Sequence, residues 1–177
     1  RYESVGGGGW IIPWNYPLAL MGWKLAPALA AGNTVVMKPS EITPLSILHW
    51  GRIIDSVLPP GVINVVTGYG QSAGEPIVRH PDVPAVTFTG SVVTGKKIAS
   101  LAADNLKKVS LELGGKDPAY VRKDCNLNHA IENLADGVFY NSGQSCCGIE
   151  RIYVDNEVYN DFVEGMKTFT EKYILDD

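Results

Sequence analysis

Short apolar runs alternate with longer amphipathic stretches along this chain, and that alternation predicts its elements. Thr34 to Lys38 is apolar with little polar interruption, as expected of a strand buried on both faces. Val62 to Val66, Ala85 to Thr89 and Val109 to Leu113 are further strand candidates, and Trp10 to Ile12 is a shorter one stopped by Pro13. Between them, Leu18 to Ala31 reads as helical, with Pro27 expected to break or restart it, because proline removes a donor and restricts the residue before it. Thr43 is expected to N-cap a helix with Pro44 at its first position, running to about Leu58, where Pro59-Pro60-Gly61 stops it. Ser72-Ala73-Gly74-Glu75 has the form of a capping box, and Ser91 to Ala103 is a further helix.

Strands alternating with helices at this spacing define an α/β class: a doubly wound, Rossmann-like parallel sheet covered on both faces. Ligands of such sheets lie beyond the carboxyl ends of the strands. Lys38-Pro39-Ser40-Glu41, Gly68-Tyr69-Gly70 and Gly90-Ser91 all fall there. The run Gly6 to Gly9 precedes its strand, whereas a phosphate cradle sits between a strand and the following helix. It reads as a flexible connection.

After Gly115 the character changes. Pro118 to Val121 is a strand, Asn126 caps a helix from about Leu127 to Tyr140, Ile149 to Val154 is a strand, and a helix runs from about Glu157 to Lys172. A boundary near Gly114-Gly115 is expected, with a nucleotide-binding domain over 1–114 and the start of a second, catalytic α/β domain over 115–177. The chain begins at Arg1 without a methionine and ends in a helix-like run at Asp177; it reads as a piece of a longer protein.

Bulk composition narrows the function classes. The 177 residues are 45% hydrophobic and 19% charged, with mean hydropathy +0.02, as in an ordinary globular protein. A net charge of −4 with scattered lysines argues against a nucleic-acid groove. The longest apolar run is too short for a membrane span. Cys125, Cys146 and Cys147 are an odd number, so reduced thiols in the cytoplasm or another reducing compartment are expected; an organellar targeting segment could lie outside this chain.

Candidate chemistry centres on Asn141-Ser142-Gly143-Gln144-Ser145-Cys146-Cys147-Gly148, where a thiol sits among turn-forming residues rather than on a helix stripe. Taken alone, Cys146 is as readily structural as nucleophilic. Glu112, between Leu111 and Leu113 at a strand end, is either an outward-facing strand residue or a desolvated carboxylate with a raised pKa, poised as a general base. Asn15, in the turn Pro13-Trp14-Asn15-Tyr16-Pro17, carries an amide able to serve an oxyanion. Gly90 to Lys97 nearly spells a nucleoside-triphosphate loop, but Lys97 stands where that motif needs Ser or Thr for magnesium. A dinucleotide pyrophosphate at the Gly90-Ser91 helix start fits better. Lys38 and Glu41 can both hydrogen-bond a ribose, and a carboxylate there repels a 2′-phosphate, favouring NAD over NADP. His49, His80 and His129 share no spacing, and no metal site is expected.

Together, Pro13-Trp14-Asn15-Tyr16-Pro17, Lys38-Pro39-Ser40-Glu41, Phe88-Thr89-Gly90-Ser91, Leu111-Glu112-Leu113-Gly114-Gly115-Lys116 and Gly143-Gln144-Ser145-Cys146 resemble the aldehyde dehydrogenase superfamily, in its order of motifs, with 34 residues from Glu112 to Cys146. The resemblance implies NAD(P)-dependent oxidation of an aldehyde to a carboxylic acid by the hydrolytic route. It implies Cys146 as nucleophile, Glu112 as general base and Asn15 as oxyanion donor. Cofactor contacts are implied for Ile11, Ile12, Pro13, Trp14, Lys38, Ser40, Glu41, Gly70, Gly74, Phe88, Thr89, Gly90, Ser91, Leu113 and Gly114. It also implies a small-molecule aldehyde as substrate and a homo-oligomer, dimer or tetramer, for the full-length protein. The alternatives are a coenzyme-A-acylating relative, against which Glu112 argues, and a non-catalytic nucleotide-binding or structural relative.

Overall fold

A computed structural model of the chain describes residues 3–175. It divides into two compact units, Arg1–Leu113 and Gly114–Asp177. The end of the chain at Asp177 lies outside the described residues.

The first unit is built on five parallel strands: β1 (Gly7–Ile11), β2 (Thr34–Lys38), β3 (Ile63–Val65), β4 (Ala85–Gly90) and β5 (Lys108–Leu113). Their order across the sheet is β3-β2-β1-β4-β5, so the chain winds outward from β1 in one direction and then in the other. The helices are α1 (Pro17–Ala30), α2 (Leu45–Ile54), α3 (Glu75–Arg79) and α4 (Val92–Ala103). One face of the sheet buries Trp10, Ile12, Val35, Met37 and Ile63 against Leu20, Met21 and Leu25 of α1 and Ile47 of α2. The other buries Val86 and Phe88 with Val78 of α3 and Ile98 and Ala102 of α4. Both faces are covered, which is why β2 and β4 read as continuous apolar runs.

The glycine run is not a flexible connection. Gly7, Gly8 and Gly9 form the first three positions of β1, in register with Thr34, Val35 and Val36 on one side. The reason is space. A Cβ on Gly9 would stand 2.4 Å from Ile77 Cγ2 of α3, and one on Gly8 would stand 2.9 Å from Nε1 of the Trp10 indole. The central strand gives up its side chains so that a helix and an indole can lie on its backbone.

Three further expectations fail for identifiable reasons. Pro27 lies inside α1 without breaking it; it falls in the last turns, and the following amides of Ala31 and Asn33 bond the carbonyls of Pro27 and Ala28 at 3.1 and 2.9 Å. Thr43 caps nothing: its hydroxyl donates to the Trp14 carbonyl at 3.0 Å, Pro44 takes the N-cap place, and α2 ends at Ile54 rather than Leu58. Ser72 forms no capping box. It lies in a wide, π-type turn over Gly70–Gly74, and the Glu75 carboxylate turns to Arg79 and Lys97 instead. Ser91, by contrast, N-caps α4, accepting the Thr94 amide at 3.2 Å.

The second unit pairs β6 (Asp117–Val121) with β7 (Ile149–Val154) in parallel, and adds α5 (Leu127–Phe139) and α6 (Tyr159–Thr170). Asn126 caps α5 by accepting the His129 amide at 3.2 Å. Val121, Ile131 and Phe162 form its core. Gly165 allows the two helices to close, since a Cβ there would meet Ile131 Cδ1 at 2.2 Å.

Candidate active site

In the first unit, the carboxyl ends of β1, β2 and β4 bring the segments singled out from the sequence to one edge of the sheet. Ile11 ends β1, and buried Ile12 and Pro13 lead to an exposed Trp14 and a half-buried Asn15. Lys38 ends β2 and is only 3% exposed, so it is no surface lysine. Its ammonium donates to Glu41 Oε2 at 3.0 Å. The Glu41 backbone N–H and the Lys38 ammonium hold the Glu41 carboxyl below the usual carboxylate range. Ser40 is buried and accepts the Ile42 amide at 3.3 Å.

Beside these ends, where the chain reverses its winding between β1 and β4, a cavity of about 420 Å³ opens between α3 and α4. Ile11, Val78, Ile98 and Leu101 make its apolar walls, and Glu41, Glu75 and Lys97 stand at its charged positions. Gly70 and Gly74 line it too; nothing lies within 4 Å of where a Gly70 Cβ would be, whereas a Gly74 Cβ would reach Ile11 Cδ1 and Lys38 Cδ at 3.7 and 3.8 Å. A flat aromatic base with a ribose fits these groups: apolar walls for the ring, and a carboxylate that accepts from hydroxyls, with its lysine as donor.

Phe88, Thr89 and Gly90 close β4. The Thr89 hydroxyl is buried without a hydrogen-bond partner among the described residues. An orphaned buried hydroxyl costs free energy on the order of 1–3 kcal/mol, so this position suits a polar group of a ligand. The Ser91 hydroxyl is already engaged, donating to Thr94 Oγ1 at 2.9 Å. Leu113 ends β5, packed towards Gly95 of α4, and Gly114 follows, exposed.

Glu112 is exposed, with half-buried Leu111 and Leu113 on either side. Strand alternation turns the two leucines to the α4 face and the carboxylate to the other. Of the two readings of Glu112, the strand places it as the outward-facing residue. The sequence pattern also missed a neighbour of Glu112. Lys24 of α1 donates to Thr87 Oγ1 at 2.9 Å; burial lowers its pKa, and the charge of Glu112 partly restores it. Only the packing of α1 against the sheet brings this lysine to Thr87, and its place in the helix shows nothing of that.

The second unit holds the thiols. After α5 the chain passes through Asn141 and Ser142 with φ of 52° and 57°, then Gly143 at 73°. Three consecutive left-handed residues are costly for non-glycine types, and backbone bonds stabilise the turn. The Gln144 amide donates to the Asn141 carbonyl at 3.1 Å, and Ser145 to that of Gly143 at 3.0 Å. Cys146 and Cys147 emerge exposed, and Ser145 Oγ lies 3.3 Å from Cys147 Sγ. Packing around the Cys146 sulfur pushes its thiol up from the ordinary value, and Cys147 acts in the same direction. The Cys146 thiol is accessible, and the raised thiol would need a base to become a nucleophile. Cys125 is half-buried beside the second unit's core. Among the described residues, no cluster of three or more His, Cys, Asp or Glu could hold a metal ion, and no helix is long and apolar enough to cross a membrane.

A doubly wound parallel sheet with a slot beside the point where its winding reverses defines the class as a Rossmann-like α/β protein of the dinucleotide-binding type. The chain belongs to the aldehyde dehydrogenase family, whose sequence model it matches over residues 1–177. It is 50% identical over 177 residues to aldehyde dehydrogenase 1A1 of Bos taurus, covering 99% of this chain and 35% of the relative. Among solved structures it is similar to the NAD+ complex of an aldehyde dehydrogenase from Bacillus cereus, with TM-score 0.96 and 43% identity over 98% of this chain and 36% of the other. It is also similar to an NADP-dependent enzyme of E. coli, with TM-score 0.96 and 39% identity over 99% of this chain and 37% of the other. The chain therefore spans about a third of the length of these relatives.

Proposed function

We propose that the full-length protein carrying this chain oxidises a small aldehyde to the carboxylic acid, with NAD as acceptor and Cys146 as the covalent nucleophile. The observation that carries this reading is that a chain of this family retains the Cys146 thiol, the Glu112 carboxylate and the Asn15 amide together. The Cys146 sulfur gives up its proton to solvent water and bonds the aldehyde carbon, whose carbonyl π bond breaks to leave the thiohemiacetal oxyanion. The Asn15 amide and the Cys146 backbone N–H donate to the resulting oxyanion. NAD, when bound, supplies the hydride acceptor that makes the reaction an oxidation. Cys146 then carries the acyl group as a thioester; Glu112 takes a proton from water, whose oxygen displaces the sulfur and releases the acid.

Lys38, Ser40 and Glu41 would hold the adenosine ribose, and Ile11 to Trp14, Gly70, Gly74, Leu113 and Gly114 would line the cofactor. Phe88 to Gly90 and Ser91 would face its pyrophosphate side. Glu41 supports NAD over NADP. Assembly as a homo-oligomer in a reducing, cytoplasmic compartment belongs to the same reading.

The test is Glu112→Gln in the full-length protein. The variant should transfer one hydride per thiol in a rapid burst of NADH and then stall at the thioester, with steady-state turnover down about 10²–10⁴-fold. Unchanged steady-state turnover, or a wild type active only with coenzyme A, would reassign the base.

A further inference from the structure

Lys97, which occupies the place where a nucleoside-triphosphate loop would have its serine or threonine, has no role in the proposed function. It projects from α4 into the lining of the slot between α3 and α4, together with Glu41 and Glu75. Its ammonium is 2.8 Å from Glu75 Oε2, while the other oxygen of Glu75 accepts from Arg79 Nε at 2.9 Å. We propose that Glu75 is a second determinant of cofactor choice, acting by holding Lys97 so that no uncommitted cation of the slot is offered to a 2′-phosphate.

The slot's lining contains two carboxylates, Glu41 and Glu75, and one ammonium, Lys97. The lysine behind it, Lys38, is committed to Glu41, and Arg79 is shared between Glu75 and Asp104. A 2′-hydroxyl needs only an acceptor and finds Glu41. A 2′-phosphate brings close to two negative charges into the same space and needs a cation. Glu41 repels it; Glu75 withdraws the lysine that would receive it. These are separate effects, because the two carboxylates stand on different elements and bond different lysines. The Lys97 side chain is 54% exposed and belongs to a long, flexible stem, so its release from Glu75 leaves it able to reach a phosphate within the slot. Lys97 and Glu75 here are specificity residues; neither touches the reacting atoms.

The inference rests on the dinucleotide reading of the slot, and the experiment separates the two. Dissociation constants for NAD and NADP are measured by titration calorimetry on the full-length wild type, Glu75→Gln, and the Glu75→Gln/Lys97→Met double variant, at low and at 0.5 M salt. In Glu75→Gln the ratio of the NADP to the NAD constant should fall roughly five-fold at low salt, the scale of a partly exposed ion pair. The gain should shrink at high salt and vanish in the double variant. Glu75→Ala should reproduce the change, which keeps the test valid if the glutamine variant folds poorly. An unchanged ratio in both Glu75 variants overturns the proposal, and so does a gain that survives removal of Lys97. A wild type that binds neither dinucleotide fails at the prior step: it removes the nucleotide reading of the slot, and the inference with it.

Discussion

The two units solve opposite problems. The first spends its residues on a five-stranded sheet with helices over both faces, and its functional edge is assembled from strand ends that the packing holds in place. The second has a two-stranded sheet, leaves Tyr120 and Tyr153 exposed on its strands, and presents its thiols on a turn of left-handed residues. The proposed function would place binding on strand ends and the reactive group on a short turn stabilised by its own backbone bonds. In the proposed function, recognition would depend on many positions at once and nucleophilic chemistry on one sulfur.

Substituting that sulfur gives the largest expected effect. Cys146→Ser should lower turnover of the full-length protein by at least about 10³-fold, since loss of a nucleophile removes a pathway rather than a contact. NAD binding should persist, because the slot lies wholly in the first unit. Cys147→Ser should keep most of the activity. Calorimetry beside steady-state assays checks both, and loss of NAD binding in Cys146→Ser would break the division of labour.

Next comes the packing of the first unit. Gly9→Val drives a side chain into Ile77 and Val83, whose atoms lie 2.4 and 3.1 Å from a Cβ there. Overpacking of this kind costs about 1–3 kcal/mol, read from the midpoint of urea unfolding. Gly22→Ala on α1 meets nothing within 4 Å and should instead stabilise by about 0.5–1 kcal/mol, the helix-interior cost of glycine. Equal effects would mean that the strand glycines are not there for space.

The smallest effect is a shift of pH profile. With its thiol raised by burial and by Cys147, Cys146 should be alkylated by iodoacetamide with a midpoint above that of a free cysteine. The sign follows from an acid whose neutral form is favoured: thiolate appears only as pH climbs past the raised pKa. Cys147→Ala removes one of the raising influences and should move the midpoint down. Mass-spectrometric mapping of the labelled peptide reads both.

Much of this was legible in the chain. β2, β4 and the caps Ser91 and Asn126 follow from apolar runs and local side-chain chemistry, which depend on neighbours in sequence. The carboxyl-edge residues were legible because a parallel sheet collects its strand ends on one side. What escaped was set by distant partners. Gly7 to Gly9 look like a linker until Ile77 is placed over them. Thr43 is drawn away from its helix by the Trp14 carbonyl, and Glu75 from Ser72 by Lys97. The two readings of Glu112 could be separated only by knowing which face its leucine neighbours pack on.

The glycine strand has a consequence for the order in which the first unit folds. β1 lies between β2 and β4, yet its first three residues bring no side chain with which to begin a strand, and glycine has more backbone freedom to lose than any other residue. It gains little until the rails on both sides exist. The pairs β2–β3 and β4–β5 should therefore form first, each closing a shorter loop than the pairing of β1 with β4 requires. In kinetic terms, Ile12→Val at the end of this segment should leave the folding rate almost untouched and speed unfolding, with φ below about 0.3, while Val86→Ala on β4 should slow folding. The last piece to lock would then be the middle of the sheet rather than its rim.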